Sequence, residues 1–304
     1  MRRVLILGGT AEARALAAEL VADPGLRVVS SLAGRVSNPR LPVGEVREGG
    51  FGGPEGLAGW LVSERIDVLV DATHPFAERM TASAVAAAAA TGVPLLVLRR
   101  PGWREEPGDS WLRVGSLRAA ADLLATGGWR TGARAPDRTG GPDQEGDREP
   151  RPSGDRGAHR AGGGVARVFL TTGRRSLPVF TSLPGVWLLA RSVDPPEPPV
   201  PANVRVLLDR GPYTVEGERA LIREHRLEVL VTKDSGGRLT TAKLVAAREA
   251  GLPVIMVDRP PPHSGVRVAD DVAAAVSWVQ RQWARNPGPS GPGGIAYGAV
   301  RLFE

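Results

Sequence analysis

Apolar residues follow two alternating patterns along the chain. Short runs of Val, Ile and Leu are typical of buried strands, and Ala-rich stretches with helical spacing lie between them. We predict strands at 4–7, 28–31, 68–71, 95–98, 168–171, 186–190, 204–208, 229–232 and 254–257, and helices at 10–21, 54–64, 76–91, 215–225, 240–250 and 271–283. Strands that alternate with helices of about 10–15 residues indicate right-handed βαβ units. The predicted fold class is therefore α/β with mostly parallel sheets.

One internal segment interrupts this pattern. Residues 127–164 are rich in Gly, Arg and Pro and contain no Val, Ile, Leu, Met or Phe. Such a segment cannot bury enough apolar area to offset the entropy of ordering. We predict that 127–164 is a disordered linker between an N-terminal domain at 1–126 and a C-terminal domain at 165–284. A low-complexity tail is predicted at 285–304.

The two halves share one unit of strand, polar loop, Ala-rich helix and strand. Val68-Leu-Val-Asp71 in the first half corresponds to Val229-Leu-Val-Thr232 in the second, and both units continue into Gly-x-Pro and then Arg-Pro at matching spacing. If both halves are open α/β sheets, their polar loops lie at the carboxyl ends of strands. Ligands bind to such sheets at that edge.

Amino-acid composition excludes several kinds of functional site and indicates the charge of a partner. The absence of Cys excludes a disulfide framework, a thiolate zinc site and a Cys nucleophile, and no His or acidic cluster has metal-ligand spacing. The net charge of +6 agrees either with a genomic bias towards Arg or with an anionic partner, a nucleic acid or a small polycarboxylate. The first apolar run is too short for a signal peptide, and no apolar run reaches about 18 residues. We therefore expect a soluble, cytoplasmic protein without a membrane partner.

The turn after the first predicted strand has the composition of a phosphate-binding loop. Gly8, Gly9 and Thr10 let the backbone approach a phosphate, and Glu12 and Ala13 open a helix whose N-terminus offers free N–H groups. The spacing is not G-x-G-x-x-G, so an ordinary tight turn is the alternative. The prediction is a cofactor site at this turn.

The end of the second predicted strand indicates which cofactor. An NAD site usually places an acidic residue there, about 20 residues after the glycines, to hold the ribose 2′-hydroxyl. This chain has Ser31 and then Arg35 instead. A guanidinium pairs with a 2′-phosphate, so the pattern favours NADP(H), with an ordinary surface arginine as the alternative.

Candidate catalytic and substrate-binding residues follow other strands. His74 could donate a proton or orient a substrate, or simply pack in its loop. Lys233 and Lys243 are the only lysines in a chain dominated by Arg, and lysine, unlike arginine, can lose its proton. The predicted catalytic residues are His74 and Lys233, and the predicted substrate-binding residues are Thr172, Gly173, Arg174, Arg210, Ser235, Gly236 and Lys243.

Taken in order, the motifs resemble the precorrin-6A reductase family of cobalamin biosynthesis, in its cobalt-free or cobalt-containing form. They are Gly8-Gly-Thr-Ala-Glu-Ala-Arg14, Ser31-Leu-Ala-Gly-Arg35, Gly49-Gly-Phe-Gly-Gly53, Asp71-Ala-Thr-His-Pro-Phe-Ala77, Arg100-Pro-Gly-Trp103, Thr171-Thr-Gly-Arg174 and Thr232-Lys-Asp-Ser-Gly-Gly237. The resemblance runs from the first strand to about residue 260, with 127–164 as an insertion.

The resemblance implies two Rossmann-like domains with an active site in the cleft between them. It implies reduction of a ring double bond of precorrin-6A by NADPH, giving precorrin-6B. The anionic partner is then a tetrapyrrole with many carboxylates and not a nucleic acid, and other enzymes of the pathway are candidate partners.

Two other functions are compatible with the same frame. One is a tetrapyrrole-binding enzyme that does not use NADPH, and the turn at Gly8 together with Arg35 favours the reductase over it. The other is a non-enzymatic NADP(H) sensor, which a helix-turn-helix or a basic stripe would favour. Neither pattern occurs in the sequence.

Overall fold

The computed structural model describes residues 1–34, 40–130 and 165–285, which form two compact α/β units. The first unit contains residues 1–34, 40–99 and 262–285, and the second contains 100–130 and 165–261. The elements in chain order are β1 (Arg2–Leu7), α1 (Ala11–Val21), β2 (Leu26–Leu32), β3 (Glu45–Glu48), α2 (Pro54–Ser63), β4 (Val68–Asp71), α3 (Glu78–Thr91), β5 (Leu95–Leu98), β6 (Trp111–Val114), α4 (Leu117–Thr126), β7 (Ala166–Leu170), β8 (Val186–Ser192), β9 (Val204–Leu208), α5 (Val215–Glu224), β10 (Val229–Lys233), α6 (Ala242–Glu249), β11 (Val254–Val257), β12 (Arg267–Ala269) and α7 (Val272–Arg285). Short 3-10 helices lie at Gly128–Arg130, Arg174–Val179 and Arg238–Thr240.

The sheet of the first unit has six parallel strands in the order β12-β5-β4-β1-β2-β3. Its central strand is apolar on both faces, as expected for a parallel sheet covered by helices on each side. Val4 and Ile6 pack with α1 and α7, whereas Leu5 and Leu7 pack with α2 and α3. This packing fixes the position of the turn that follows β1.

The second unit repeats the arrangement. Its six parallel strands run in the order β6-β11-β10-β7-β8-β9. Phe169 and Leu230 pack with α5 and α6 on one face of the sheet. The two sheets confirm the predicted α/β class, and the repeated unit seen in the sequence occupies corresponding positions, β4-α3-β5 in one and β10-α6-β11 in the other.

Each sheet takes one edge strand from the half of the chain that supplies the other strands of the other sheet. β6 follows β5 in the chain but pairs with β11, and β12 follows β11 but pairs with β5. Residues 100–126 therefore belong to the second unit and 262–285 to the first. The domain boundaries expected from the sequence, 1–126 and 165–284, do not coincide with these, because the apolar pattern indicates the type of an element and not its partner in a sheet.

The start of the expected linker is also structured. Gly127 caps α4 in the left-handed conformation, and the 3-10 helix that follows buries Trp129. The rest of that segment, at 131–164, and the expected tail at 286–304 lie outside the described residues. Within the described part of the chain, no helix has the length and apolar character needed to cross a membrane.

Candidate functional sites

The turn after β1 joins a buried strand to helix α1 through Gly8 and Gly9, as the sequence predicts. Gly9 has φ +112, and a Cβ atom placed on it would meet no heavy atom within 4 Å. The space beside this backbone is therefore open. The amide of Gly8 donates to the carbonyl of Ser31 at 2.9 Å, which ties the turn to the end of β2.

Thr10 holds this turn and the start of α1 from within. Its Oγ1 accepts a hydrogen bond from the amide of Ala13 at 3.0 Å and donates to the carbonyl of Ala72 at 2.8 Å. Thr10 is buried and acts as the N-cap of α1. The hydroxyl of Thr10 and the amide of Ala13, both predicted to bind the cofactor, are thus engaged inside the protein, and Glu12 lies half-buried in the first turn of the helix.

Ser31, a predicted cofactor-binding residue, lies at the end of β2. The neighbouring strand β3 places Arg47 beside it, an arginine that sequence reasoning missed. Ser31 is paired in register with Arg47, and Nη1 of Arg47 lies 3.4 Å from Oγ of Ser31. The guanidinium of Arg47 also stacks on the ring of Phe51, with 3.9 Å between Cζ and the ring centroid. No acidic side chain ends β2, as the sequence indicates, and Arg35 lies outside the described residues.

The loop after β4 is organised by a buried carboxylate. Asp71 accepts hydrogen bonds from the amide of Thr73 at 3.0 Å, from its hydroxyl at 2.7 Å and from the hydroxyl of Thr81 at 2.6 Å. His74 stands exposed on this loop, where its Nδ1 accepts from the amide of Phe76 at 3.3 Å. Asp71 thereby orients the segment that presents the imidazole.

The second unit has a matching glycine turn after β7. Gly173 has φ +87 with open space around it, and the hydroxyl of Ser176 donates to Thr172 Oγ1 at 2.7 Å. Arg174 donates to the carbonyl of Pro195 at 3.1 Å and lies 3.8 Å from Asp194. Gly173 and Arg174 line a small cleft at the carboxyl ends of β7 and β8. The predicted glycine turn is therefore present, with the hydroxyl of Thr172 bonded internally, and its binding of an anion stays a prediction.

Two further predicted residues lie at strand ends of this unit. Lys233 is the last residue of β10 and is half-buried, and this burial lowers the pKa of its ammonium group. Arg210 follows β9 and is also half-buried.

The loop after β10 is held by Asp234, which the sequence analysis did not single out. Asp234 is only 4% exposed, and its carboxylate accepts from the amide of Trp103 at 2.9 Å and from Arg113 at 2.8 Å. Arg259 donates to its carbonyl at 2.9 Å. The motifs at 100–103 and 232–237 therefore form one structure.

The glycines of this loop pack against the same segment. A Cβ atom on Gly236 would lie 2.1 Å from the carbonyl oxygen of Pro101, so only glycine fits there. The carbonyl of Ser235 accepts from Nε of Arg100 at 2.8 Å. Ser235 and Gly236 were predicted to bind substrate, and the structure shows both of them engaged in holding the loop.

Lys243 lies in the core and not at the surface. It is 5% exposed, donates to the carbonyl of Thr240 at 2.9 Å and lies 4.7 Å from the ring centroid of Trp103. Burial lowers the pKa of Lys243 to about 7, nearby Arg191 adds to this, and Glu218 opposes it. The predicted contact of Lys243 with substrate therefore finds no support in its position.

The architecture defines the class of this molecule. Two six-stranded parallel sheets, each with a glycine turn after the strand at which the strand order reverses, make it a two-domain Rossmann-like α/β protein.

Comparison with known proteins specifies the family. Residues 3–280 match the family model described as "Precorrin-6x reductase CbiJ/CobK". The chain therefore belongs to the precorrin-6x reductase family, which comprises oxidoreductases of cobalamin biosynthesis.

Individual relatives agree with this assignment. A precorrin-6A reductase of Rhodococcus erythropolis is 47% identical over 279 residues, covering 92% of this chain and 98% of the relative. A cobalt-precorrin-6A reductase of Priestia megaterium is 29% identical over 269 residues, covering 84% of this chain and 90% of the relative. A solved structure described as "CobK precorrin-6A reductase" matches with a TM-score of 0.75 and 37% identity, covering 93% of this chain and 97% of the other.

Proposed function

We propose that this chain reduces a ring double bond of precorrin-6A with NADPH, giving precorrin-6B, in the cytoplasm. The observation that carries the proposal is the 47% identity to a precorrin-6A reductase across 98% of that relative's length. The match covers both units, so it is not confined to a cofactor-binding half.

The comparisons favour the cobalt-free substrate. Identity to the relative named precorrin-6A reductase is 47%, against 29% for the relative named cobalt-precorrin-6A reductase. A tetrapyrrole with many carboxylates suits a chain with 39 basic residues. Gly173 and Arg174, at an open turn, are the residues that we assign to one of these carboxylates, with Thr172 beside them and Arg210 as a second cationic contact.

The first unit fits NADPH by its donor groups and its open space. Gly8 and Gly9 would lie against the pyrophosphate, because Gly9 leaves room for it beside the N-terminus of α1. Ser31 would lie at the adenosine ribose, with no carboxylate on the strand end to repel a 2′-phosphate. The assignment of Arg35 to this phosphate stays a prediction from the sequence. NADPH, when bound, supplies the hydride.

A proton must also reach the neighbouring carbon, either from water or from one of two side chains suited to supply it. Lys233 releases its proton more readily than an exposed lysine because burial lowers its pKa. His74 accepts the Phe76 amide at Nδ1, so its neutral form carries the proton on Nε2.

The test is anaerobic incubation of the purified chain with precorrin-6A and NADPH while the nicotinamide absorbance is followed. We expect oxidation of NADPH that depends on substrate, and slower reaction with NADH or with cobalt-precorrin-6A. Absence of oxidation with authentic substrate would contradict the reductase assignment. Binding of the tetrapyrrole without NADPH binding would instead indicate a different enzyme on this frame.

Variants separate the two proton donors. Loss of the true donor should lower kcat by about 10²–10⁴-fold and leave the KM for NADPH unchanged. We expect this for Lys233→Met, with His74→Gln as the matched comparison. If neither variant lowers kcat by more than about threefold, the proton comes from neither side chain.

A further inference from the structure

Arg47 lies on β3, the edge strand of the first sheet, with β2 between it and the strand that precedes the predicted cofactor turn. The turn after β1, Ser31 at the end of β2 and Arg47 at the end of β3 follow one another across three neighbouring parallel strands. In such sheets the pyrophosphate lies at the first turn, and the adenosine ribose lies beyond the end of the next strand. The expected position of the ribose therefore lies between the glycines on one side and Arg47 on the other.

The guanidinium of Arg47 is held in one orientation. Nη1 donates to the carbonyl of Gly49 at 2.7 Å, and Nη2 donates to that of Gly50 at 2.8 Å. The face of the group lies on Phe51, and the ring of Trp60 is 5.7 Å away. A cation fixed by stacking and by carbonyl groups loses little freedom when it binds a ligand.

The charge of Arg47 is not balanced by a carboxylate within the part of the chain that the structure describes. All its hydrogen bonds there go to neutral groups, the hydroxyl of Ser31 and two backbone carbonyls. Arg27, on the neighbouring strand β2, shows the contrast, because its guanidinium forms an ion pair with Glu45. An arginine held rigidly beside a hydroxyl, with no acidic partner, is suited to an anion with several oxygen acceptors.

We propose that Arg47 binds the 2′-phosphate of NADPH together with Ser31 and is a residue by which this enzyme distinguishes NADPH from NADH. The inference rests on the proposed NADPH dependence and adds a position to it. Arg47 reaches the phosphate from β3, a strand that lacks the apolar run by which sequence reasoning recognises strands.

The test measures binding of two fragments of the cofactor to the full chain by calorimetry, so that no turnover is needed. The probes are adenosine 2′,5′-bisphosphate, which carries the 2′-phosphate, and 5′-AMP, which lacks it. Arg47→Ala should weaken binding of the bisphosphate about 10–100-fold, as loss of a charge-assisted contact does, and change binding of 5′-AMP by less than about twofold. Arg47→Lys keeps the charge without the stacked plane, and we expect an intermediate loss.

Arg27→Ala is the matched control, because it removes the same charge from the neighbouring strand. It should leave the preference for the bisphosphate unchanged. Equal losses of both probes in Arg47→Ala and Arg47→Lys would overturn the inference and assign Arg47 to holding the loop at 49–51. Unchanged affinities in both variants would also overturn it while leaving NADPH dependence intact. A wild-type chain that binds both probes equally would contradict the 2′-phosphate site itself.

Discussion

Charged residues within the motifs of this chain act largely on the protein itself. The motif at 232–237 suggested substrate contacts, yet the carboxylate of Asp234 within it is buried and bonded to Trp103, Arg113 and Arg259. Residue type and order do not reveal whether a side chain faces a ligand or its own loop. The difference appears only when hydrogen-bond partners more than a hundred residues away are known.

Replacement of Asp234 should therefore affect stability before it affects chemistry. We expect Asp234→Ala to lower the free energy of unfolding by about 1–3 kcal/mol, because it leaves the partly buried Trp103 amide and Arg259 guanidinium without their carboxylate. Asp258 shares Arg113 but is 43% exposed at its side chain, so Asp258→Ala should cost less than about 1 kcal/mol. Urea denaturation of both variants measures the difference, and equal costs would contradict the central role of Asp234.

Lys243 should make stability depend on pH. The pKa of its ammonium falls from 10.5 to about 7 in the folded state. As pH decreases from 10 to 7, the unfolded chain takes up a proton here that the folded chain does not, so stability falls. Lys243→Met should remove this effect and be most stabilising at pH 7 and below. We expect the advantage to shrink by about 2 kcal/mol between pH 7 and pH 9, measured by urea unfolding. A difference independent of pH would show that the buried amine is not deprotonated.

At the scale of elements, the sequence was most informative where a strand is a run of Val, Ile and Leu. The runs at 68–71, 95–98, 204–208 and 254–257 coincide with β4, β5, β9 and β11. β3, β6 and β12 were missed because they are edge strands of only three or four residues, and their hydrogen bonds come from partners elsewhere in the chain. Arg47 was missed for the same reason, since its place beside Ser31 depends on β3. The glycine turns were recognisable because a strand followed by glycines forms a pattern of neighbouring residues.

Helix α2 offers a test of one close approach. A Cβ atom on Gly56 would lie 1.8 Å from the carbonyl oxygen of Phe51, whereas one on Gly59 would meet nothing within 4 Å. Gly59→Ala should stabilise the protein by about 0.5–1 kcal/mol because alanine favours the helix. Gly56→Ala should destabilise it and displace the loop before α2. Thermal unfolding compares the two, and a stabilising Gly56→Ala would contradict this packing.

At the scale of the whole molecule, the exchange of edge strands decides which fragments can fold. The segment 100–261 contains every strand of the second sheet, from β6 to β11. The segment 1–126 lacks β12 and α7 and carries β6 and α4 without their sheet. The sequence showed the repeat between the halves but not the exchange, because pairing across a sheet leaves no local pattern.

Fragment expression tests this organisation. We expect 100–261 to unfold cooperatively and 1–126 to lack a cooperative transition, as monitored by circular dichroism during heating. Joining 1–99 to 262–285 through a short Gly-Ser linker should restore cooperative unfolding of the first unit, because it restores β12 and α7. A stable, cooperative 1–126 fragment would contradict the assignment of β12 to the first sheet.

The positions of β6 and β12 in the chain also determine which of the two sheets is completed first during synthesis. Domains generally fold from the N-terminus as the chain leaves the ribosome. Here the strands of the first sheet are made first, but that sheet is complete only after β12 has been made. The second sheet has all its strands once Val257 has been made, whereas the first lacks β12 until Ala269. Throughout that interval the outer edge of β5 presents unpaired backbone groups, which in other proteins recruit foreign strands. The nascent chain is thus most prone to misassociation at the β5 edge of its first sheet until β12 and α7, at 267–285, have been translated.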